Sequence, residues 1–258
     1  MTTGEGRAQS PVPTGPASGG PSEGRPNRSL LIGRLDGVAI RVHWTFLFVV
    51  AVIVAADQPR GWWAVTAGLA WIIALFASVV VHELAHCIVA RRRGAVVYGI
   101  LLLPIGGLSQ LDRVPDEPAD ELAIASVGPL TSLGLGLGLL VGSIAVGLHV
   151  WPPSLWTGPW LARLGWMNLL LGAFNLAPAL PMDGGRVLRS LLERRFDRAE
   201  ATRLAVKVAR VIAYAMIVVG FAYDLWLFLI GLFVLVGASV EKRDATSEET
   251  HRRTSGPP

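Results

Sequence analysis

Charge is scarce in this chain. Only 16% of its 258 residues are Asp, Glu, Lys or Arg, while 52% are hydrophobic. A soluble domain carries roughly a quarter charged residues, so the composition excludes an ordinary soluble globule and points to an integral membrane protein. Cysteine occurs once, at Cys87, which excludes an internal disulfide and leaves the redox compartment open. That thiol follows His86 directly and on a helix points about 100° away from it, as a packed core thiol would. Basic and aromatic residues are not interleaved on any polar segment. The net charge of +4 therefore reads as loop arginines at a membrane, with no nucleic-acid partner. Residues 1–28 lack an apolar run and hold six Gly and five Pro. Such a segment is too polar to fold and is no signal peptide.

Apolar runs are what the chain has in quantity, near 42–56, 62–90, 121–150, 158–181, 205–222 and 225–240. They predict an all-α membrane protein with six transmembrane helices, the first of them short. Residues 29–240 then form one membrane-embedded domain between unstructured tails at 1–28 and 241–258. If both ends are cytoplasmic, 21 of the 23 Lys and Arg lie inside and only Arg60 and Arg163 lie outside. Trp62, Trp63, Trp151, Trp156, Trp160 and Trp226 fall near the outer boundary, as an interfacial belt does. The expected location is the cell membrane, multi-pass, with both termini cytoplasmic. Between the second and third helices, Val96–Leu111 is apolar but interrupted by Pro104 and Gly106-Gly107. It is too short to cross and reads as a re-entrant loop or small β-hairpin, whose edge could take an unwound strand by β-addition. Gly134, Gly138 and Gly142 form a small-residue stripe for close helix packing, within one bundle or at a homo-oligomer face.

The second apolar run carries the chemistry. From Trp62 to Ala90 the only acid is Glu83, and it stands inside His82-Glu83-Leu84-Ala85-His86. H-E-x-x-H on a helix places two imidazoles one turn apart as zinc ligands, with the Glu as general base. With five histidines in the chain, chance placement yields that pattern in roughly one such chain in several hundred. An acid at membrane depth also costs on the order of 3 kcal/mol, which a purely structural role does not explain.

A catalytic zinc takes three protein ligands and keeps a position for water. The extended H-E-x-x-H-x-x-G-x-x-H pattern fails, because Val89 and Arg92 stand at its Gly and His positions. His149 is near the outer face, His251 is in the polar tail, and His43 remains open at the inner end of the first run. Among the acids, Asp224 is on the outer side, while Asp183 closes the fourth run at the depth of the histidines. Its surroundings, Asn175-Leu-Ala-Pro178-Ala-Leu-Pro181-Met-Asp183-Gly184-Gly185-Arg186, break the helix, as backbone lining an intramembrane cavity does. Asp183 is the favoured third ligand.

His-Glu-Leu-Ala-His at 82–86 together with the segment 175–186 resembles the site-2 protease family of intramembrane zinc metalloproteases. Pro104-Ile-Gly106-Gly107-Leu-Ser-Gln110 and Ala125-Ser-Val-Gly128-Pro129-Leu fit it too. The resemblance covers most of residues 36–240. It implies one Zn2+ on His82, His86 and Asp183, with Glu83 as catalytic base. It also implies Asn175, Gly106 and Gly107 near the substrate or oxyanion. The implied substrate is a single-span regulatory membrane protein, cut within or near its transmembrane segment. The sequence departs from the family at Leu176, where Pro is frequent, and at Ser132, where Asn is common. About 18 residues follow the last apolar run, so the chain reads as a compact form without regulatory C-terminal or peptide-binding domains. Two other readings compete. A membrane metal transporter would show internal repeats with matching polar breaks, and none is found; a non-proteolytic scaffold would not need Glu83.

Overall fold

The structure, a computed structural model, describes residues 29–35, 37–104, 106–111, 117–155 and 157–255. The expected tail at 1–28 and Trp156 lie outside the described residues. In chain order the elements are strands β1 (Ser29–Leu35) and β2 (Val38–His43), then helices α1 (Phe46–Asp57) and α2 (Trp62–Arg92). Strands β3 (Val97–Leu103) and β4 (Gly106–Leu111) follow. Helices α3 (Pro118–Ala145), α4 (Trp160–Asn175), α5 (Asp183–Leu192), α6 (Arg198–Tyr223) and α7 (Leu225–Ser255) complete the fold.

The all-α expectation therefore needs correcting: the fold is mostly helical but includes a four-stranded sheet of order β1-β2-β3-β4. β2 pairs parallel with β3, and the other neighbours pair antiparallel. β3 and β4 are the small hairpin expected at 97–111. β1 and β2 were not expected, because 42–56 read as one apolar run. Asp36-Gly37 between two alternating apolar segments is the hairpin signal that outweighs it. Val38, Ile100 and Leu102 pack with Cys87 in one buried cluster, with Val79, Val80 and Leu84 against it. The sheet thus lies along the stretch of α2 that carries the histidines.

Three helices, α2, α3 and α6, are long and apolar enough to cross a membrane, and Leu225–Glu241 within α7 is a shorter apolar helix. α1 and α4 have 12 and 16 residues, about 18 and 24 Å at 1.5 Å per residue. Both fall short of a hydrocarbon core about 30 Å thick. Trp62, Trp63, Trp151, Trp160 and Trp226 are exposed. α7 continues to Ser255, so the expected unstructured tail after residue 240 is helical through 255. An established helix propagates cheaply into a segment rich in Glu, Lys and Arg.

Helix ends follow local chemistry. α2 finishes at Arg91-Arg92, Gly94 takes φ +84°, and the Ala95 N–H reaches the Ala90 carbonyl at 3.0 Å. This is a Schellman closure, which needs a left-handed residue at the glycine. It turns the chain sharply into β3.

α3 and α4 meet through glycines, but not through the expected stripe. A Cβ at Gly134, Gly138 or Gly142 would meet nothing within 4 Å, whereas one at Gly136 would sit 2.8 Å from both the Gly165 carbonyl oxygen and the Leu169 nitrogen. The buried face of α3 runs through Pro129, Ser132, Gly136 and Leu140, and the glycine repeat lies on the face turned away. A four-residue period admits both registers; only the partner helix selects one. On this basis Gly136→Leu is expected to destabilise the fold by about 1–3 kcal/mol through overpacking, and Gly134→Leu to be neutral. Thermal unfolding in detergent checks the contrast.

Candidate metal centre

His82 and His86 lie one turn apart on α2, both buried, at 3% and 5% exposure. Their Nε2 atoms are 3.1 Å apart, and Asp183 Oδ2 is 3.2 Å from each. The three atoms form a nearly equilateral triangle. Ligands at the roughly 2.0–2.1 Å bond lengths of tetrahedral zinc are separated by about 3.3–3.4 Å, so the triangle has the size of one tetrahedral face.

Protonation supports the same reading. His86 Nδ1 lies 2.6 Å from the Ile124 carbonyl oxygen. A carbonyl only accepts, so Nδ1 carries the hydrogen and Nε2 of a neutral His86 presents a lone pair. His82 Nδ1 lies 2.9 Å from the Ser132 hydroxyl, and donation there leaves a lone pair on His82 Nε2 as well. Two imidazole lone pairs and a carboxylate then converge, an arrangement that a bound metal cation would stabilise. The donor set fits zinc. Among the described residues, His82, His86 and Asp183 are the group of ligand atoms lying within 4.8 Å of one another.

The backbone positions each ligand. α3 presses so closely on α2 that a Cβ at Gly128 would overlap the His86 ring. α4 ends at Asn175, and Asp183 opens α5 instead of closing the fourth apolar run. Pro178 and Pro181 stop the chain from continuing as one helix. Gly184 and Gly185 then allow α5 to rest on the preceding turn: side chains there would strike the carbonyl oxygens of Leu176 and Ala177 and the Leu180 nitrogen.

Glu83 is half-buried on the neighbouring face of α2, under β4. The Ser109 hydroxyl donates to Glu83 Oε2 at 2.5 Å. A Cβ on Gly107 would lie 2.8 Å from Glu83 Cδ and 2.9 Å from Oε1, so any larger residue there would push the carboxylate aside. Cys87 is the expected core thiol, and its Sγ–H points to the Ser109 oxygen at 3.6 Å.

The chain is matched over residues 70–151 and 154–223 by the family described as Peptidase family M50. It belongs to that family. The first stretch contains His82, Glu83 and His86, and the second contains Asp183. A zinc metalloprotease of Methanocaldococcus jannaschii is 38% identical over 221 residues, covering 84% of this chain and 61% of the relative. Stage IV sporulation protein FB of Bacillus subtilis is 27% identical over 140 residues, covering 54% of this chain and 46% of that protein. A solved structure of a site-2 protease from Methanocaldococcus jannaschii superposes with a TM-score of 0.61 at 35% identity, over 83% of this chain and 95% of that one. The chain spans about 60% of the length of curated relatives that it matches over 84–86% of its own residues.

Within this M50 site the sequence-derived residues separate. His82, His86 and Asp183 come together, and Gly107 meets Glu83. Gly106 opens β4 at φ +145° with open space where a Cβ would be, which is a turn role. Asn175 donates from Nδ2 to the Leu171 carbonyl at 3.0 Å, leaving its second amide hydrogen for another acceptor. His43 ends β2 and bonds Thr45 Oγ1 at 2.8 Å, outside the metal-ligand group. In the sequence Ser132 stands out only as a departure from the family, and Ile124 and Ser109 carry no assigned role, because a serine or a backbone carbonyl has no signature until the fold brings it to a ring or a carboxylate. Orienting partners of metal-bound histidines typically carry 10–100-fold in affinity. Ser132→Ala is thus expected to weaken zinc binding by roughly that factor, with Ser132→Thr close to wild type. Chelator competition on the purified protein measures both.

Proposed function

We propose that this chain is an intramembrane zinc metalloprotease that hydrolyses peptide bonds within or near the transmembrane segments of membrane-anchored proteins. One observation carries the reading: a half-buried carboxylate, Glu83, stands next to three convergent donors of a size that fits zinc. Family membership and the zinc metalloprotease relatives support it.

In this reading His82, His86 and Asp183 are the metal ligands and Glu83 is the catalytic base. Bound zinc supplies a lowered water pKa and polarises the peptide carbonyl. Glu83 is held at Oε2 by Ser109, so Oε1 takes the proton of the attacking water and returns it to the leaving amine. The free amide hydrogen of Asn175 serves the developing oxyanion.

A helical substrate hides its carbonyls in hydrogen bonds and must unwind first. β4 is the outermost strand of the sheet beside β3, with Leu108 exposed. An extended segment adding there would run past Glu83, with Gly107 keeping the approach close. The substrate class we assign is a single-span, regulatory membrane protein. Residues 29–240 act as the embedded domain, crossing six times with both termini cytoplasmic. Support for that orientation comes from the basic residues, gathered on one side.

In vesicles carrying a membrane-anchored substrate, Glu83→Gln is expected to keep its zinc and lose on the order of 10²–10⁴-fold in turnover. Asp183→Ala is expected to lose the metal itself. Undiminished cleavage by the Glu83→Gln protein ends the assignment. For the strand-addition step, a substrate N-methylated at alternate amides near the cut site should be hydrolysed more slowly than its unmethylated parent; equal rates would favour a β4 that only packs.

A further inference from the structure

Away from the ligands, four charged side chains from three helices meet, two of them buried and two, Arg186 and Glu241, partly exposed. Glu121 of α3 is 0% exposed and Arg189 of α5 is 8% exposed. Arg189 donates from Nη2 to Glu121 Oε1 and from Nη1 to Glu241 Oε1 of α7, the latter at 2.5 Å. Arg186, one turn earlier on α5, brings its Nε to 3.6 Å from the same Glu121 oxygen.

The placement of these residues along their helices gives the cluster its meaning. On α3, Glu121 lies three residues before Ile124, whose carbonyl orients His86, and the same helix supplies Ser132 to His82. On α5, Arg186 and Arg189 follow Asp183 by three and six residues. α3 therefore orients the two imidazoles, α5 delivers the carboxylate, and the cluster bridges α3 to α5. α5 is only ten residues long and is entered through a broken turn, so its roll and axial position need an external reference. Buried ion sets often add little net stability over apolar residues of the same volume. Their directional hydrogen bonds do specify one geometry, and a guanidinium joins two carboxylates at fixed angles where an ammonium does not.

We propose that Arg189, held between Glu121 and Glu241, is a positioning residue that sets Asp183 at ligand distance from the two histidines. This rests on the reading of His82, His86 and Asp183 as the zinc site. The test uses the full chain in detergent or nanodiscs, loaded with zinc for affinity and with cobalt for its visible absorption bands. Arg189→Lys is expected to bind zinc roughly 10–100-fold more weakly, the range seen when supports of a metal ligand are lost. It should also change the cobalt spectrum and lower kcat more than it raises KM. Gly220→Ala, which overpacks α6 against Phe228 of α7 at the end of that pair opposite the cluster, should melt earlier yet keep wild-type zinc affinity and cobalt bands. If Arg189→Lys does not fold, Glu241→Gln takes its place, with a several-fold loss of zinc affinity expected. Folded variants that match wild type in affinity and spectrum overturn this inference alone. A wild type that binds neither metal overturns the zinc reading and this inference with it.

Discussion

Three lone pairs within 3.2 Å of one another are the constraint on which the rest of this structure depends. Left to themselves, two imidazole nitrogens and a carboxylate oxygen would move apart, so rigid neighbours have to hold them. The Ile124 carbonyl and the Ser132 hydroxyl fix the rings from α3. Glycine at 128 lets α3 come that close, and Gly184-Gly185 seat the helix that begins with Asp183. These glycines are therefore clearances around the ligands more than points of flexibility. A substitution at any of them would act on the metal centre through displaced backbone.

The same economy shapes the surrounding bundle. α6 turns Ala201, Ala205, Ala209 and Ala213 inward, fully buried, while Val211, Val218 and Phe221 face outward. Large apolar groups outside and small ones inside is the reverse of a soluble helix. It suits a solvent as apolar as leucine, in which packing and polar contacts hold helices together. Buried polar residues then concentrate where helices must keep one geometry. Asn168 donates to Ser78 at 3.0 Å, one turn before His82, and the Glu121–Arg189–Glu241 group lies beyond the site on α5.

What the sequence revealed and what it hid divide along physical lines. His82, Glu83, His86 and Asp183 were legible because an ionisable group in an apolar run is costly and rare, and because the helical repeat sets two imidazoles one turn apart. The hairpin at 97–111 was legible from Pro104 and the paired glycines. The strands at 29–43 were hidden by an apolar run that continues into α1, although Asp36-Gly37 marked the turn. The glycine stripe on α3 is not the face that packs within the bundle, because helix periodicity alone does not say where the partner lies. The parts played by Ser109, Ser132 and Arg189 were illegible for a different reason. Each is a common residue in an ordinary local setting, and its role exists only across contacts of 26 to 68 positions in sequence.

One consequence concerns how binding and chemistry are joined. β4 touches the Glu83 carboxylate twice, through the clearance at Gly107 and the hydroxyl of Ser109, and among the described strands it is also an outermost one. In the proposed reaction, the strand that aligns an unwound substrate is thus the strand that fixes the base. A register shift of one residue along β4 would move the scissile carbonyl by about 3.3 Å, more than a hydrogen-bond length, while Glu83 stayed where Ser109 holds it. Cleavage position would then be set chiefly by where the extended segment locks onto β4, and only weakly by the side chains flanking the cut. Under the proposed reaction, selectivity would then reside in which transmembrane helices unwind at the right depth, a property of the substrate's own helix stability.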